Sequence, residues 1–160
     1  MALPLVVVTD RLRLELWDAP TVAAIRAGER RAGWHPSFPR KDDADAAGLW
    51  RDGDVWAPRS IVFEGEAVGS IGFFGPPTPA DDGVAETEVG YGLVEEARGR
   101  GIATEALLGV LGPCDADGVR IRASIAPDNA PSLAVAAKTG FTEIRGTNED
   151  GELVLVRPLP

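Results

Sequence analysis

The segment 86–105, ETEVGYGLVEEARGRGIATE, constrains this chain more than any other. Residues 87–94 read as a strand, and residues from about 101 onward as a helix. Between them lies the turn Arg98-Gly99-Arg100-Gly101-Ile102-Ala103. Its glycines leave backbone N–H groups open, and the following helix contributes unpaired donors and the positive end of its dipole. With two arginines beside it, such a turn is a seat for an anion, most naturally a phosphate or pyrophosphate.

The rest of the chain supplies a sheet around that unit. The apolar patch in MALPLVVVTDRL has no basic stretch before it and no cleavage-like site, so it reads as a first strand rather than a signal peptide. Residues 11–17, RLRLELW, alternate as a half-buried strand. Asp18 is a good N-cap and Pro20 suits a first helical turn, which predicts a helix to about Arg31. A second short helix fits 42–51, stopped by Asp52-Gly53. Residues 60–64 and 67–74 read as a hairpin, and 75–83 as a mobile loop. The helix after the Gly/Arg turn is expected over 101–111, ended by Gly112-Pro113. A strand over 119–125 follows, then a helix from Asp128-Asn129 to Lys138, closed by Thr139-Gly140. Strands 141–145 and 152–157 flank a turn at 148–151. The expected order is β-α-α-β-β-β-α-β-α-β-β, a single α/β domain over 1–160 with a mixed central sheet.

Composition narrows the function. A chain of 160 residues, 44% hydrophobic and 26% charged, suits one soluble domain with one core. It has no apolar run long enough to span a bilayer, so no membrane partner and a cytoplasmic location are expected. A net charge of −9 argues against nucleic acid as the main partner, because a phosphate backbone needs a basic surface. Such an acidic surface serves solubility and can also attract a cationic substrate. Cys114 and His35 are the only residues of their kinds, which excludes an intrachain disulfide, a cysteine cluster and a histidine-rich zinc site. No metal is expected.

Arg98-x-x-Gly101-x-Ala103 matches the Gln/Arg-x-x-Gly-x-Gly/Ala signature of the GCN5-related N-acetyltransferases, the GNAT family. Asn129-Ala130-Pro131-Ser132 and Lys138-Thr139-Gly140-Phe141 match that family's second segment. EVGYGLVEEARGRGIATEAL and the earlier TDRLRLELW resemble its ribosomal-protein alanine N-acetyltransferase (RimJ/RimL-like) branch. The resemblance covers essentially the whole chain. It implies a GNAT-type sheet flanked by helices, with acetyl-CoA as cosubstrate. The pyrophosphate would lie on the N–H groups of Gly99, Arg100, Gly101, Ile102, Ala103 and Thr104, with added charge from Arg98 or Arg100. The pantetheine arm would follow the strand edge near Leu93 and Val94. Asn129 would cap its helix, reach the CoA arm, or do both.

The reaction implied is direct attack on the thioester, in a ternary complex, by the primary amine of a protein N-terminus or a small molecule. An α-amine titrates near about 8, against about 10.4 for lysine, and needs less help in losing its proton. A carboxylate, usually through water, can serve as base. By alternation Glu86, Glu88, Gly90 and Gly92 share one face of their strand, while Val89, Tyr91 and Leu93 share the other and read as core. Glu88, where this branch often carries a glutamate, is the first candidate for base or amine anchor. Glu86 is the second, and both can equally be exposed strand carboxylates. The N–H near Leu93 or Val94 is the expected oxyanion donor.

Many family members place a tyrosine seven residues after the asparagine, where this chain has Ala136. Ser132 is the substitute acid for the departing thiolate, with helix packing or capping as its other reading. Gly92 stands where the branch often has a bulky aromatic, which predicts a differently shaped acceptor pocket. His35, in a substrate-side loop, is a lesser candidate for base or acceptor contact. Cys114 reads as inert, and Trp34, Trp50, Trp56 and Phe38 as packing. Two rival functions remain: a catalytically silent acyl-CoA-binding or sensing domain, and an acetyltransferase that modifies cationic antibiotics. Either a monomer or a homodimer is compatible with the sequence.

Overall fold

The computed structural model describes residues 3–160; Met1 and Ala2, which open the N-terminal apolar patch, lie outside the described residues. The chain enters as a hairpin, β1 (Val6–Val8) and β2 (Leu12–Leu16), with Val6 opposite Glu15. Where the sequence order counted one strand there are two, because the chain reverses at Thr9, whose N–H donates to the Leu12 carbonyl at 3.0 Å. The helix α1 (Ala19–Ala27) begins at the Asp18 carboxylate, which accepts from the Thr21 N–H at 2.9 Å. It stops short of Arg31 because Gly28 takes the left-handed conformation and closes the last turn. Next come α2 (Lys41–Ala46), a 3₁₀ turn (Ala47–Leu49), β3 (Arg59–Phe63) and β4 (Glu66–Phe73). The segment expected as a mobile loop holds a two-residue strand, β5 (Thr78–Pro79), paired with β6 (Ala85–Leu93).

The helix α3 (Ile102–Ala116) runs through its expected stop, with Pro113 inside it. Proline removes one helical hydrogen bond, but Val110, Leu111 and Cys114 on the buried face carry the helix onward. The remaining elements are β7 (Arg120–Ile125), α4 (Ala130–Lys138), β8 (Glu143–Thr147) and β9 (Leu153–Arg157). The sheet order is β1-β2-β3-β4-β6-β7-β9-β8. Neighbours along it are antiparallel except β6 and β7, which run parallel and are connected through α3. Leu14, Ile61, Ile71, Leu107 and Leu111 sit at the centre of the core. Phe38 is buried, and Trp34, Trp50 and Trp56 pack against the same core.

One irregularity positions the site. Strands β6 and β7 pair only at Glu86–Arg120, Thr87–Ile121 and Glu88–Arg122. Beyond Glu88 they part, while β6 stays paired to β4 as far as Leu93 opposite Gly69. A gap therefore opens in the sheet just before the Gly/Arg turn.

Candidate active site

The gap gives onto a cavity of about 550 Å³. Its wall brings together Leu93, Arg98, Gly99, Gly101, Ile102, Ala103, Thr104, Asn129 and Ser132, all of them expected from the sequence. Glu88, Val94 and Arg100 do not line it. Gly99 and Gly101 have φ of +77° and +75°, a conformation that costs other residues energy. The helix α3 starts at Gly101, which has no side chain with which to cap it. Its first internal bond runs from the Glu105 N–H to the Gly101 carbonyl at 3.0 Å. The N–H groups of Ile102, Ala103 and Thr104 are thus left at the cavity wall with the positive end of the helix dipole.

The two arginines of the turn part company. Arg98 lines the cavity, with Nε donating to the Leu93 carbonyl at 3.3 Å. Arg100 points elsewhere: its guanidinium lies over the Phe63 ring, 6.0 Å from the centroid. Its carbonyl accepts from Arg11 Nη1 at 3.0 Å, and Arg11 Nε donates to Glu105 at 2.7 Å. Arg11 therefore braces the turn.

At the strand edge, alternation of the ladder separates the two expected oxyanion donors. The Val94 N–H donates to the Val68 carbonyl across β4 at 2.8 Å. The Leu93 N–H, one residue earlier, faces the opposite way, into the gap where β7 has left. Leu93 alone keeps a free donor there. Asn129 caps α4, its side-chain oxygen accepting from the Ser132 N–H at 3.3 Å. The Ser132 hydroxyl lines the cavity and has no protein partner among the described residues. Tyr91, expected as core, also reaches this wall: its hydroxyl donates to the Ser132 carbonyl at 3.2 Å, and burial pushes its pKa up to about 12.

The two candidate carboxylates differ sharply. Glu86 is almost fully buried and receives four bonds of 2.6 to 2.8 Å from Arg145, Arg120 and Arg122. The Arg145 fork, joined by Arg120 and Arg122, pulls its pKa down to about 2 against the desolvation that opposes it. Glu86 is a structural anion and no proton acceptor at neutral pH. Glu88 receives one bond, from Arg122 Nε to Oε1 at 3.2 Å, and Oε2 has no partner among the described residues. It belongs to the last residue pair before the gap opens.

Sequence reasoning missed Arg40. This residue precedes α2 and lines the cavity beside Gly92. Its Nε and Nη2 donate to the two oxygens of Asp43 at 3.0 and 2.7 Å, and its backbone N–H donates to the same carboxylate at 2.8 Å. Asp43 is wholly buried and also accepts from the Ser70 hydroxyl. The only hint in the sequence was Gly92, and nothing local tied it to Arg40, far earlier in the chain.

His35 lines neither this cavity nor the smaller one beside it; its Nδ1 accepts from the Ser37 N–H at 3.0 Å. Cys114 is buried, and desolvation pushes its thiol up to about 12, as an inert core residue requires. Among the described residues, no group of three His, Cys, Asp or Glu side chains is placed to hold a metal ion, and no helix is long and apolar enough to cross a membrane.

The parted strands, the uncapped helix start and the capped α4 together define a class, and comparison identifies it. The family model of the acetyltransferase (GNAT) domain matches residues 11–142. The chain belongs to the GNAT family of acetyltransferases, enzymes that use acetyl-CoA. Among solved structures it is similar to a protein from Bordetella pertussis assigned to that family: TM-score 0.67, 28% identity, 96% of this chain and 99% of that one covered. RimJ from Mycobacterium smegmatis, solved with CoA-disulfide, matches with a TM-score of 0.62 and 25% identity over 91% of this chain and 80% of its own. That similarity agrees with the resemblance of the chain's sequence segments to the RimJ/RimL-like branch. An acetyltransferase from Agrobacterium tumefaciens shares the fold, with a TM-score of 0.68 at 22% identity over 99% of this chain and 96% of that one. No curated relative matches the chain.

Proposed function

We propose that the cavity takes acetyl-CoA and that the chain moves the acetyl group to the nitrogen of a primary amine in a ternary complex. The observation that carries this reading is the continuity of two sets of free backbone donors. The N–H groups at the start of α3 and the Leu93 N–H in the strand gap open onto one cavity. The first set, with Arg98, suits a pyrophosphate. The edge of β6 suits the amides of a pantetheine arm, and Asn129 is placed to reach it with the amide nitrogen that capping leaves free.

Acetyl-CoA supplies the activated carbonyl. The residues of the chain do the rest. Leu93 N–H receives the negative charge that develops on the carbonyl oxygen as the C–N bond forms. Glu88, through water, accepts the proton lost by the amine. Ser132 hydroxyl donates a hydrogen bond or a proton to the sulfur as the C–S bond breaks, and the Tyr91 hydroxyl, by bonding the Ser132 carbonyl, fixes the backbone of that residue. The free Oε2 of Glu88 and the free hydroxyl of Ser132 favour catalysis over a silent acyl-CoA sensor. Mixing the protein with acetyl-CoA and a panel of small amines and short peptides, and following thiol release, tests the reading. Amine-dependent release is expected; tight CoA binding with no amine turned over would leave a sensor instead.

A further inference from the structure

The space above Gly92 is occupied. A Cβ at this position would lie 2.5 Å from Arg40 Nη1 and 2.7 Å from Nη2. The guanidinium therefore takes the volume that a side chain at 92 would fill, one residue from the Leu93 donor. It is held rigidly there: Asp43 grips Nε and Nη2, and the Ser70 hydroxyl, opposite Gly92 in the β4–β6 ladder, fixes Asp43 in turn. This grip uses one edge of the fork. Among the described residues Nη1 has no hydrogen-bond partner; it lies beside Gly92, and Arg40 and Gly92 both line the cavity.

Arg40 also lines the smaller neighbouring cavity, together with Ser37, Val94, Glu95, Glu96 and Arg98. It thus stands where the two cavities meet, between the donor's groove and a second approach to the same carbonyl. Glu95 and Glu96 at that approach are exposed, so water and salt screen them. The Arg40 side chain is only 20% exposed, in surroundings where a charge acts more strongly. A preorganised guanidinium edge with unsatisfied donors is suited to a planar oxyanion.

We propose that the acceptor is a primary amine that also carries a carboxylate, and that the free edge of Arg40 binds this carboxylate and so presents the nitrogen to the thioester. The inference rests on the acetyl-transfer reading of the cavity and names its substrate class. It also explains Gly92: any larger residue there would expel the guanidinium. Polycationic acceptors such as aminoglycosides are disfavoured by the same geometry.

The test compares ω-amino acids with their carboxamides as acceptors, with rates corrected to the free-amine concentration. A second arm compares short peptides whose second residue is Asp or Asn. Wild type is expected to prefer the acid roughly 10- to 100-fold in kcat/KM, as a hydrogen-bonded charge implies. A preference in the first arm alone assigns a small molecule; one in the peptide arm assigns a protein N-terminus. In Arg40→Met the acid-to-amide ratio falls to about one, chiefly through KM for the acid, and Arg40→Lys keeps part of it. Should Arg40→Met fail to fold, Gly92→Ala displaces the guanidinium without removing it and is expected to lose the same ratio. Acids and amides turned over equally by wild type, or a ratio unmoved in these variants, overturn the carboxylate inference while acetyl transfer stands. Turnover of no amine at all overturns both.

Discussion

Two arginine–carboxylate clusters lie on the same face of β6, and they have opposite characters. At its start, Glu86 is closed off by Arg120, Arg122 and Arg145, with Arg120 anchored further by Asp82 at 2.7 Å. Every oxygen of Glu86 is used, and the cluster ties β6, β7 and β8 together where the strands are still paired. At the other end, the Arg40–Asp43–Ser70 cluster satisfies Asp43 but leaves Nη1 of Arg40, a residue of the cavity wall, without a partner among the described residues. Glu88 lies between, at the point where pairing stops, with one oxygen held and one free. Charge alone does not make a residue available for chemistry. What matters is whether its hydrogen-bonding capacity is exhausted by the fold or left pointing at a cavity.

The contrast is open to attack at each position. The largest effect on the fold is expected at the closed end. Glu86→Ala leaves three arginines facing one another and should cost roughly 3–5 kcal/mol of stability in urea unfolding; a variant as stable as wild type would make the cluster ornamental. Because the folded pKa of Glu86 is depressed from 4.5 to about 2, its contribution is fully present above 4.5 and is lost as pH falls toward 2. The stability difference between wild type and Glu86→Ala should shrink across that window. Glu88→Gln is expected to lower kcat about 100-fold while changing stability by less than about 1 kcal/mol. An unchanged kcat would make Glu88 a second structural anion and move the comparison's boundary toward Gly90. The arginines of the turn give the smallest contrast. Arg98→Ala should weaken acetyl-CoA binding about tenfold, and Arg100→Ala, stacked on Phe63, by less than about threefold. Equal losses from both would show that Arg100 swings into the groove.

Features encoded over a few consecutive residues were legible in the sequence. The Gly/Arg turn, the Asp18 and Asn129 caps, and the face shared by Glu86, Glu88 and Gly92 all follow from local chemistry. Features set by distant neighbours were not. Pro113 reads as a helix stop unless the burial of Cys114 beyond it is known. Glu86 and Glu88 look alike until Arg145 and Arg120 arrive from β8 and β7. Tyr91 alternates onto the core face as expected, yet the parting of β6 from β7 turns its hydroxyl toward Ser132 at the cavity wall. Gly92 announced a changed acceptor pocket but not its content, because Arg40 is brought there by α2 packing over the sheet.

On the proposed reading, acetyl-CoA is held at the uncapped start of α3. Gly101→Val tests it most directly. On the protein side a Cβ at 101 meets only Arg11 Nη2, at 3.6 Å, so no core contact is lost. The branched residue strains a left-handed backbone position and intrudes on the anion seat. Calorimetric titration with acetyl-CoA, on variant and wild type shown by melting to be folded at the assay temperature, should give an affinity lower by about 100-fold or more, the loss of several charge-assisted bonds to the donor. An affinity equal to that of wild type would mean that acetyl-CoA is held elsewhere and would contradict the account.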